Sequence, residues 1–342
     1  MDGKQAGAPA YLFLEGRFFG MNAAVIILLF LLGLVLTIKG GDFFVDAASW
    51  IAEVSGIPKF LIGATIVSLC TTLPELLVSL MASAEGSIGI AVGNAVGSVT
   101  ANIGLIMGIS VVCLASPISR KQQAFKYVMM AAAIALLFAF SASGSLSIAG
   151  SVILLILFVA NMAESVMTAR TSMRGGHEDE GEKPAKDQKT VLINVVKFVL
   201  GVAGIVLGAD LMVDYGTELA RLLGVSEAII GATMIAIGTS LPELVTTVTA
   251  LVKKEAGLSI GNIVGANIID LTLILPLCSL VSGKALPILP QNIRMDMPVC
   301  LGLSLLAVLP PLITGKFHKW QGAAMLVIYA AYVVVLCTGV AV

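Results

Sequence analysis

Charge is the scarcest property of this chain. Only 12% of its 342 residues are Asp, Glu, Lys or Arg, against 58% hydrophobic residues and a mean hydropathy of +1.02. Such a composition excludes an ordinary soluble domain and points to a chain whose solvent is mostly lipid. The few acids and bases nearly cancel, at a net charge of −1, and no basic stripe interleaved with aromatics occurs, which sets aside nucleic acid as a partner. Histidine is limited to His177 and His318, and the five cysteines (Cys70, Cys113, Cys278, Cys300, Cys337) lie scattered in apolar segments without CxxC spacing. Neither a disulfide framework nor a Cys/His metal centre can be assembled from that inventory. No Ser/His or Asp/Asp pair is placed for an intramembrane hydrolase either, so neither enzymatic activity nor a cofactor is expected.

Long apolar runs are what the chain has instead. A spanning helix takes about 20 apolar residues, and the segments that qualify are 22–52, 58–83, 88–113, 124–142, 146–169, 191–221, 226–252, 257–282, 296–314 and 320–340. The expectation is an all-α polytopic membrane protein with ten transmembrane helices. The first and sixth segments are long and carry the polar stretches GGDFFVD and GADLMVD, which suggests strong tilt. No small-residue cleavage site follows the run from Met21, so that run is expected to remain as the first helix, with 1–20 a short tail and Met21 an alternative start. Residues 170–190 form the one sizeable polar stretch; its mixed charges read as a solvated linker rather than a calcium-sensing cluster around Glu178, Asp179 and Glu180.

The sequence also repeats itself. GATIVSLCTTLPELL at 63–77 returns as GATMIAIGTSLPELV at 231–245. One offset of 168 residues carries Glu75 onto Glu243, Asp42 onto Asp210, Asp46 onto Asp214, Thr71 onto Thr239, Pro74 onto Pro242, and Gly93-Asn94 onto Gly261-Asn262. Equivalent points are five segments apart, an odd number, so two five-helix repeats, 21–169 and 191–342, are expected to cross the membrane in opposite directions. Inverted repeats of this kind hold their substrate site at the repeat interface near the midplane. Charge gives the orientation: with 170–190 in the cytoplasm, that face collects fifteen of the 20 Lys and Arg residues, leaving Lys4, Arg17, Arg221, Lys284 and Arg294 to the other. The bias predicts a multi-pass protein of the cell (inner) membrane with both termini on the non-cytoplasmic side.

The chemistry sits in the repeat. A carboxylate inside a bilayer costs at least roughly 2.5–3.5 kcal/mol on insertion scales, and Glu75 and Glu243 stand in apolar segments without a Lys or Arg to neutralise them. Pro74 and Pro242 lack an N–H and crowd the carbonyls of Cys70 and Gly238, so each helix should kink or break there. Each repeat then offers carbonyl oxygens, a hydroxyl and a carboxylate within one turn, the ligand chemistry of a hard cation such as Ca²⁺. A second cluster follows in GNAVGSVTANIG (93–104) and GNIVGANIIDLT (261–272), where Asn94 matches Asn262 and Asn102 matches Asp270. The interleaved glycines make small faces for close helix packing. The asparagines and Asp270 on the same helices read as ligands or as groups that orient ligands.

GAT followed by GTSLPEL, then GN(x)VG(S/A)N(x)(x)(N/D) about 20 residues on, once per half, resembles the alpha-repeats of the sodium/calcium exchanger family of the calcium:cation antiporters, prokaryotic type. The resemblance covers essentially the whole chain. It implies that Glu75 and Glu243 bind Ca²⁺ with backbone oxygens at Thr71 and Thr239. It also implies that Na⁺ is bound at Ser68, Thr72 and Ser98 in the first half and at Ala236 and Ser240 in the second, with Asn102 and Asp270 beside the central site.

Four positions depart from the family pattern. Thr72 stands where Ser is usual, Cys70 replaces the glycine kept at Gly238, and Val99 stands where Asn is frequent although Asn267 is present. Ala266 lacks the hydroxyl of its counterpart Ser98, which predicts weakened Na⁺ coordination on one side and a gain in Na⁺ affinity from Ala266→Ser. The function implied is antiport of Ca²⁺ against Na⁺ by alternating access, with the glutamate-bearing helices as a stable core and the long first and sixth helices moving against it. Ca²⁺/H⁺ exchange, or K⁺-dependent Na⁺/Ca²⁺ exchange, is the alternative. The expected partners are the two ions and the bilayer, with no obligatory protein.

Overall fold

The computed structural model describes residues 22–114, 120–175, 187–224 and 238–338. They form helices joined by short turns. In chain order these are α1 (Ala23–Ser55), α2 (Lys59–Thr71), α3 (Leu73–Ala84), α4 (Ile88–Cys113), α5 (Arg120–Ser141), α6 (Ile148–Gly175), α7 (Gln188–Leu222), α8 (Leu241–Val252), α9 (Ala256–Ser282), α10 (Asn292–Thr314) and α11 (Lys319–Thr338). Among the described residues eight helices are individually long and apolar enough to span a bilayer, and α2 with α3 forms a ninth span bent by 46°. The predicted 226–252 span is described only from residue 238, as α8. Ala236, the tail and most of the 170–190 linker likewise lie outside the described residues.

Burial separates the helices into two groups. In their most apolar windows, 83% of α9 and 72% of α4 is buried, against 22% of α1 and 17% of α7. The centre is therefore α4 and α9, packed with α5 and α10 through Val96, Ile103, Ile134, Ile263, Leu271 and Leu303. The long helices α1 and α7 lie outside this core and face lipid over much of their length. Lipid tails are as apolar as leucine, so close packing rather than exclusion of water must hold these helices together. Glycine supplies the closeness between α1 and α7: a β-carbon on Gly40 would stand 2.6 Å from the Ile205 nitrogen, and one on Gly208 would overlap Thr37. The two backbones touch, so α1 and α7 form one crossed pair.

Two short contacts identify the faces. Ser145–Leu146 (β1) pairs antiparallel with Leu286–Pro287 (β2), which joins the turn after α5 to the turn after α9 on one face. At the other end of α9, Glu255 accepts from Lys59 at 2.7 Å, and Lys59 also pairs with Glu53 at 2.9 Å, joining α1, α2 and the turn before α9. Nearby, Lys253 reaches Asp46 Oδ1 (2.5 Å) and the Asp42 carbonyl (2.9 Å), tying α8 to α1. Asp187 caps α7 by accepting from the Thr190 hydroxyl (2.6 Å) and backbone N–H (3.2 Å), bonds that hold its carboxyl below the usual range.

One basic residue is placed differently from the loop charge expected of it. Lys126 is only 1% exposed, inside α5, with Glu164 at 2.9 Å, Asn161 Oδ1 at 2.6 Å and Ser165 Oγ at 2.5 Å on α6. A buried ammonium persists only when paired and hydrogen-bonded, and this one fastens α5 to α6.

Candidate cation site

The site begins at an interruption. Between α2 and α3 a single residue, Thr72, leaves helical geometry (φ −83°, ψ 0°). Pro74 then falls in the first turn of α3, where its missing N–H is one that no helix pairs anyway. Glu75 occupies the same first turn. The second copy does likewise: Ser240 has φ −87° and ψ 2°, and Pro242 and Glu243 open α8. The N-terminal end of a helix carries partial positive charge, which favours a carboxylate at that point. The expected proline breaks are thus present, and their effect is to put each glutamate at a helix start, Glu75 at the bend of the α2–α3 span.

Glu75, Glu243 and Asp270 are buried, at 1%, 0% and 0% exposure. The carboxyls of Glu75 and Glu243 come within reach of each other across the halves, and Asp270 lies within their electrostatic reach. Around them runs a crossed set of hydrogen bonds between the halves. Thr71 Oγ1 donates to Asn262 Oδ1 at 3.1 Å, and Thr239 Oγ1 donates to Asn94 Oδ1 at 3.1 Å. The 168-residue offset exchanges one of these bonds with the other. Thr72 Oγ1 lies 3.3 Å from Glu243 Oε1, Ser98 Oγ lies 3.4 Å from Thr239 Oγ1, and Asn102 donates to Asn267 at 3.1 Å.

Several buried oxygens here have no hydrogen-bond partner among the described residues: both of Glu75, both of Asp270, Glu243 Oε2, Ser240 Oγ and Asn102 Oδ1. Buried polar atoms are nearly always paired, so a group of acceptors without donors is a set of oxygens that could hold a cation. Among the described residues no three His, Cys, Asp or Glu side chains converge closely enough to hold a metal by themselves. A hard cation here would need hydroxyl and carbonyl oxygens from the helix breaks beside the carboxylates to fill its shell.

The structure adds groups that sequence reasoning did not single out. Ser79 accepts from Asn94 Nδ2 at 3.0 Å, and its offset partner Thr247 is fully buried, its hydroxyl unpaired among the described residues. The signal was present, because each is a hydroxyl four residues after a glutamate and so on the same helix face. Asn102 and Asp270 also open π-helical turns, Asn102–Met107 and Asp270–Ile274, and another, Gly63–Val67, precedes Ser68. Such turns widen a helix and gather at functional sites. Their hydrogen-bond shift has no signature in residue spacing.

Over Thr71 lies a narrow crevice lined by Phe44, Cys70, Thr71, Val202, Ile205 and Val206. The α1–α7 pair therefore meets the core directly beside the site.

Comparison with known proteins agrees with this arrangement. The family model described as sodium/calcium exchanger protein matches residues 25–167 and 193–338. The uncharacterized membrane protein MJ0091 of Methanocaldococcus jannaschii is 33% identical over 301 residues, spanning 88% of this chain and 94% of the relative. Sodium/calcium exchanger MaX1 of Methanosarcina acetivorans is 32% identical over 345 residues, spanning 90% and 97%. Among solved structures, the sodium-calcium exchanger NCX_Mj soaked with 2.5 mM Na⁺ and 0.1 mM Ca²⁺ superposes with a TM-score of 0.77 at 32% identity, over 91% of this chain and 98% of that one.

Proposed function

Because the chain belongs to the sodium/calcium exchanger family, we propose that it is a secondary antiporter that exchanges Ca²⁺ for Na⁺ across the cell membrane by alternating access to one midplane site. The observation that carries this reading is the pair of buried glutamates, Glu75 and Glu243, at matched helix starts, with both oxygens of Glu75 and one of Glu243 unpaired among the described residues. Two carboxylates balance a divalent ion, and a site that must release its charge to Na⁺ needs oxygens not already consumed by protein donors.

In this reading the chain has ten spans in two inverted repeats, with 226–252 as the seventh. The crossed Thr71–Asn262 and Thr239–Asn94 bonds support a quasi-twofold relation between the halves. Ca²⁺ is held by Glu75, Glu243 and oxygens at Thr71 and Thr239. Na⁺ uses Ser68, Thr72, Ser98, Ala236 and Ser240, while Asn94, Asn262, Asn102 and Asp270 position or balance the ligands. The α1–α7 pair moves as a unit over the crevice at Thr71, opening the site to one face or the other. Lys253 with Asp42 and Asp46, and Lys59 with Glu53, hold α1 to the core on the face of the 170–190 linker.

Radioactive Ca²⁺ uptake into vesicles carrying the reconstituted protein tests the proposal against separately imposed Na⁺, K⁺ and H⁺ gradients. Uptake driven by outward Na⁺ alone is the expected result. Uptake driven by a pH gradient and indifferent to Na⁺ would replace it with Ca²⁺/H⁺ exchange, a reading that Asp270, with both oxygens unpaired, also favours.

A further inference from the structure

A further buried carboxylate lies outside the central site. Asp296, at the start of α10, is only 4% exposed, and both of its oxygens accept hydrogen bonds. Oδ1 takes the Tyr332 hydroxyl of α11 at 3.0 Å and Oδ2 takes Asn292 Nδ2 at 2.7 Å, with Gln291 as a third donor. A neutral carboxylic acid donates from one oxygen, so a carboxyl that only accepts is an ionised one. Among the described residues no Lys or Arg pairs with it. Desolvating a charge is costly, and a buried one is ordinarily paired or bound to a cation.

The backbone beside Asp296 is opened by the same devices as the central site. Asn292–Asp296 form a π turn in which the Met297 N–H bonds the Asn292 carbonyl, and Pro298 follows without an N–H. The carbonyls of Ile293 and Arg294 therefore lose their usual donors four residues on. The other π turns among the described residues, Gly63–Val67, Asn102–Met107 and Asp270–Ile274, all adjoin the central site. Asn292 is likewise 4% exposed, and its Oδ1 has no partner among the described residues although it belongs to the amide that holds Asp296. At the offset of 168, Asn292 and Asp296 fall on Ala124 and Val128, so this cluster stands outside the repeat. It follows directly on β2, at the end of α9 away from Lys59 and Glu255.

We propose that Asp296, Asn292 Oδ1 and the carbonyls freed at this π turn form a second site, for one monovalent alkali cation, entered from the face of the β1–β2 pair. One carboxylate matches one positive charge, and carbonyl oxygens are neutral ligands of the kind that Na⁺ and K⁺ take. The Tyr332 hydroxyl donates to Asp296 and so keeps its lone pairs for the same ion. A cation held there neutralises Asp296 and fastens α10 to α11. The site is independent of which ions the central site exchanges.

The test is thermal unfolding of the purified full chain in detergent, read by tryptophan fluorescence as NaCl or KCl replaces choline chloride at constant ionic strength without Ca²⁺. The parent protein carries Glu75→Gln and Glu243→Gln, which remove both glutamate charges from the central site. Na⁺ or K⁺ should raise its midpoint over choline by about 2–4 °C once the ion exceeds its dissociation constant severalfold, and the larger rise identifies the occupant. Adding Asp296→Asn or Asn292→Ala should remove that rise while a cooperative transition persists in choline; Asn292→Ala carries the test where Asp296→Asn does not fold. No rise over choline in the parent, or an equal rise after either replacement, would overturn the proposal. So would the loss, on Asp296→Asn, of a carboxylic-acid carbonyl band from the infrared spectrum, because it would show Asp296 neutralised by a proton instead.

Discussion

At the scale of single residues, the site is defined by what its carboxylates lack. Among the described residues Glu75 and Glu243 pair with no Lys or Arg, and each sits in the first turn of a helix, where backbone N–H groups favour negative charge. Removing one charge from a pair matched to a divalent ion should be severe. Glu75→Gln and Glu243→Gln are each expected to lower Ca²⁺ affinity by more than about tenfold, since even groups behind a metal's ligands contribute that much, as read by isothermal Ca²⁺ titration of the purified protein. Asp270 differs in kind, because its offset partner Asn102 shows that an amide fits the same position in the other half. Asp270→Asn should therefore retain exchange while weakening the inhibition of flux by acid, because one group that protons can occupy is gone. A variant with the wild-type pH profile would remove Asp270 from any proton competition. Both glutamates were legible in sequence, because a charge in an apolar run stands out. Ser79 and Thr247 were not singled out, because hydroxyls are common in apolar helices and stand out only once their spacing from the glutamates is read.

At the scale of elements, three devices share the work. Proline interrupts the span carrying Glu75, π turns open α4 and α9 at Asn102 and Asp270, and glycines bring α1 and α7 to backbone contact. The first and third were readable from residue type, since proline lacks a donor and glycine lacks a β-carbon. The second depends on how neighbouring helices load the turn. If α1 and α7 move together over the core, fixing one point of the seam should stop transport. Asp46 and Lys253 mark such a point, with their charged atoms 2.5 Å apart. A short bifunctional thiol crosslink between Asp46→Cys and Lys253→Cys is expected to abolish exchange, and cleavage of the crosslinker to restore it. Undiminished flux in the crosslinked protein would show that α1 stays still during transport.

At the scale of the whole molecule, sidedness follows from charge. The Lys59–Glu255 and Lys253–Asp46 contacts gather at one end of α9, and the β1–β2 pair lies at the other. From the positive-inside bias we propose that the first of these ends faces the cytoplasm. Impermeant thiol reagents applied to intact cells should therefore label a cysteine placed at Lys284 and spare one placed at Lys254; the reverse pattern would invert the orientation and both termini with it. Lys126 shows where counting charges along a sequence falls short: it pairs with Glu164 inside the bundle, and only the packing of α5 on α6 reveals that.

The sequence by itself determined the medium, the family and the two glutamates. Composition, the length of apolar runs and a motif repeated at constant offset are local properties, and lipid leaves a chain little choice but helix. The tertiary structure alone decided which oxygens remain free. Whether Thr71 spends its proton on Asn262, or Ser68 packs its hydroxyl against Gly265, depends on contacts between helices about 190 residues apart in the chain. A hydrogen bond exists only where two groups come within about 3 Å at the right angle, and no one-dimensional pattern specifies that.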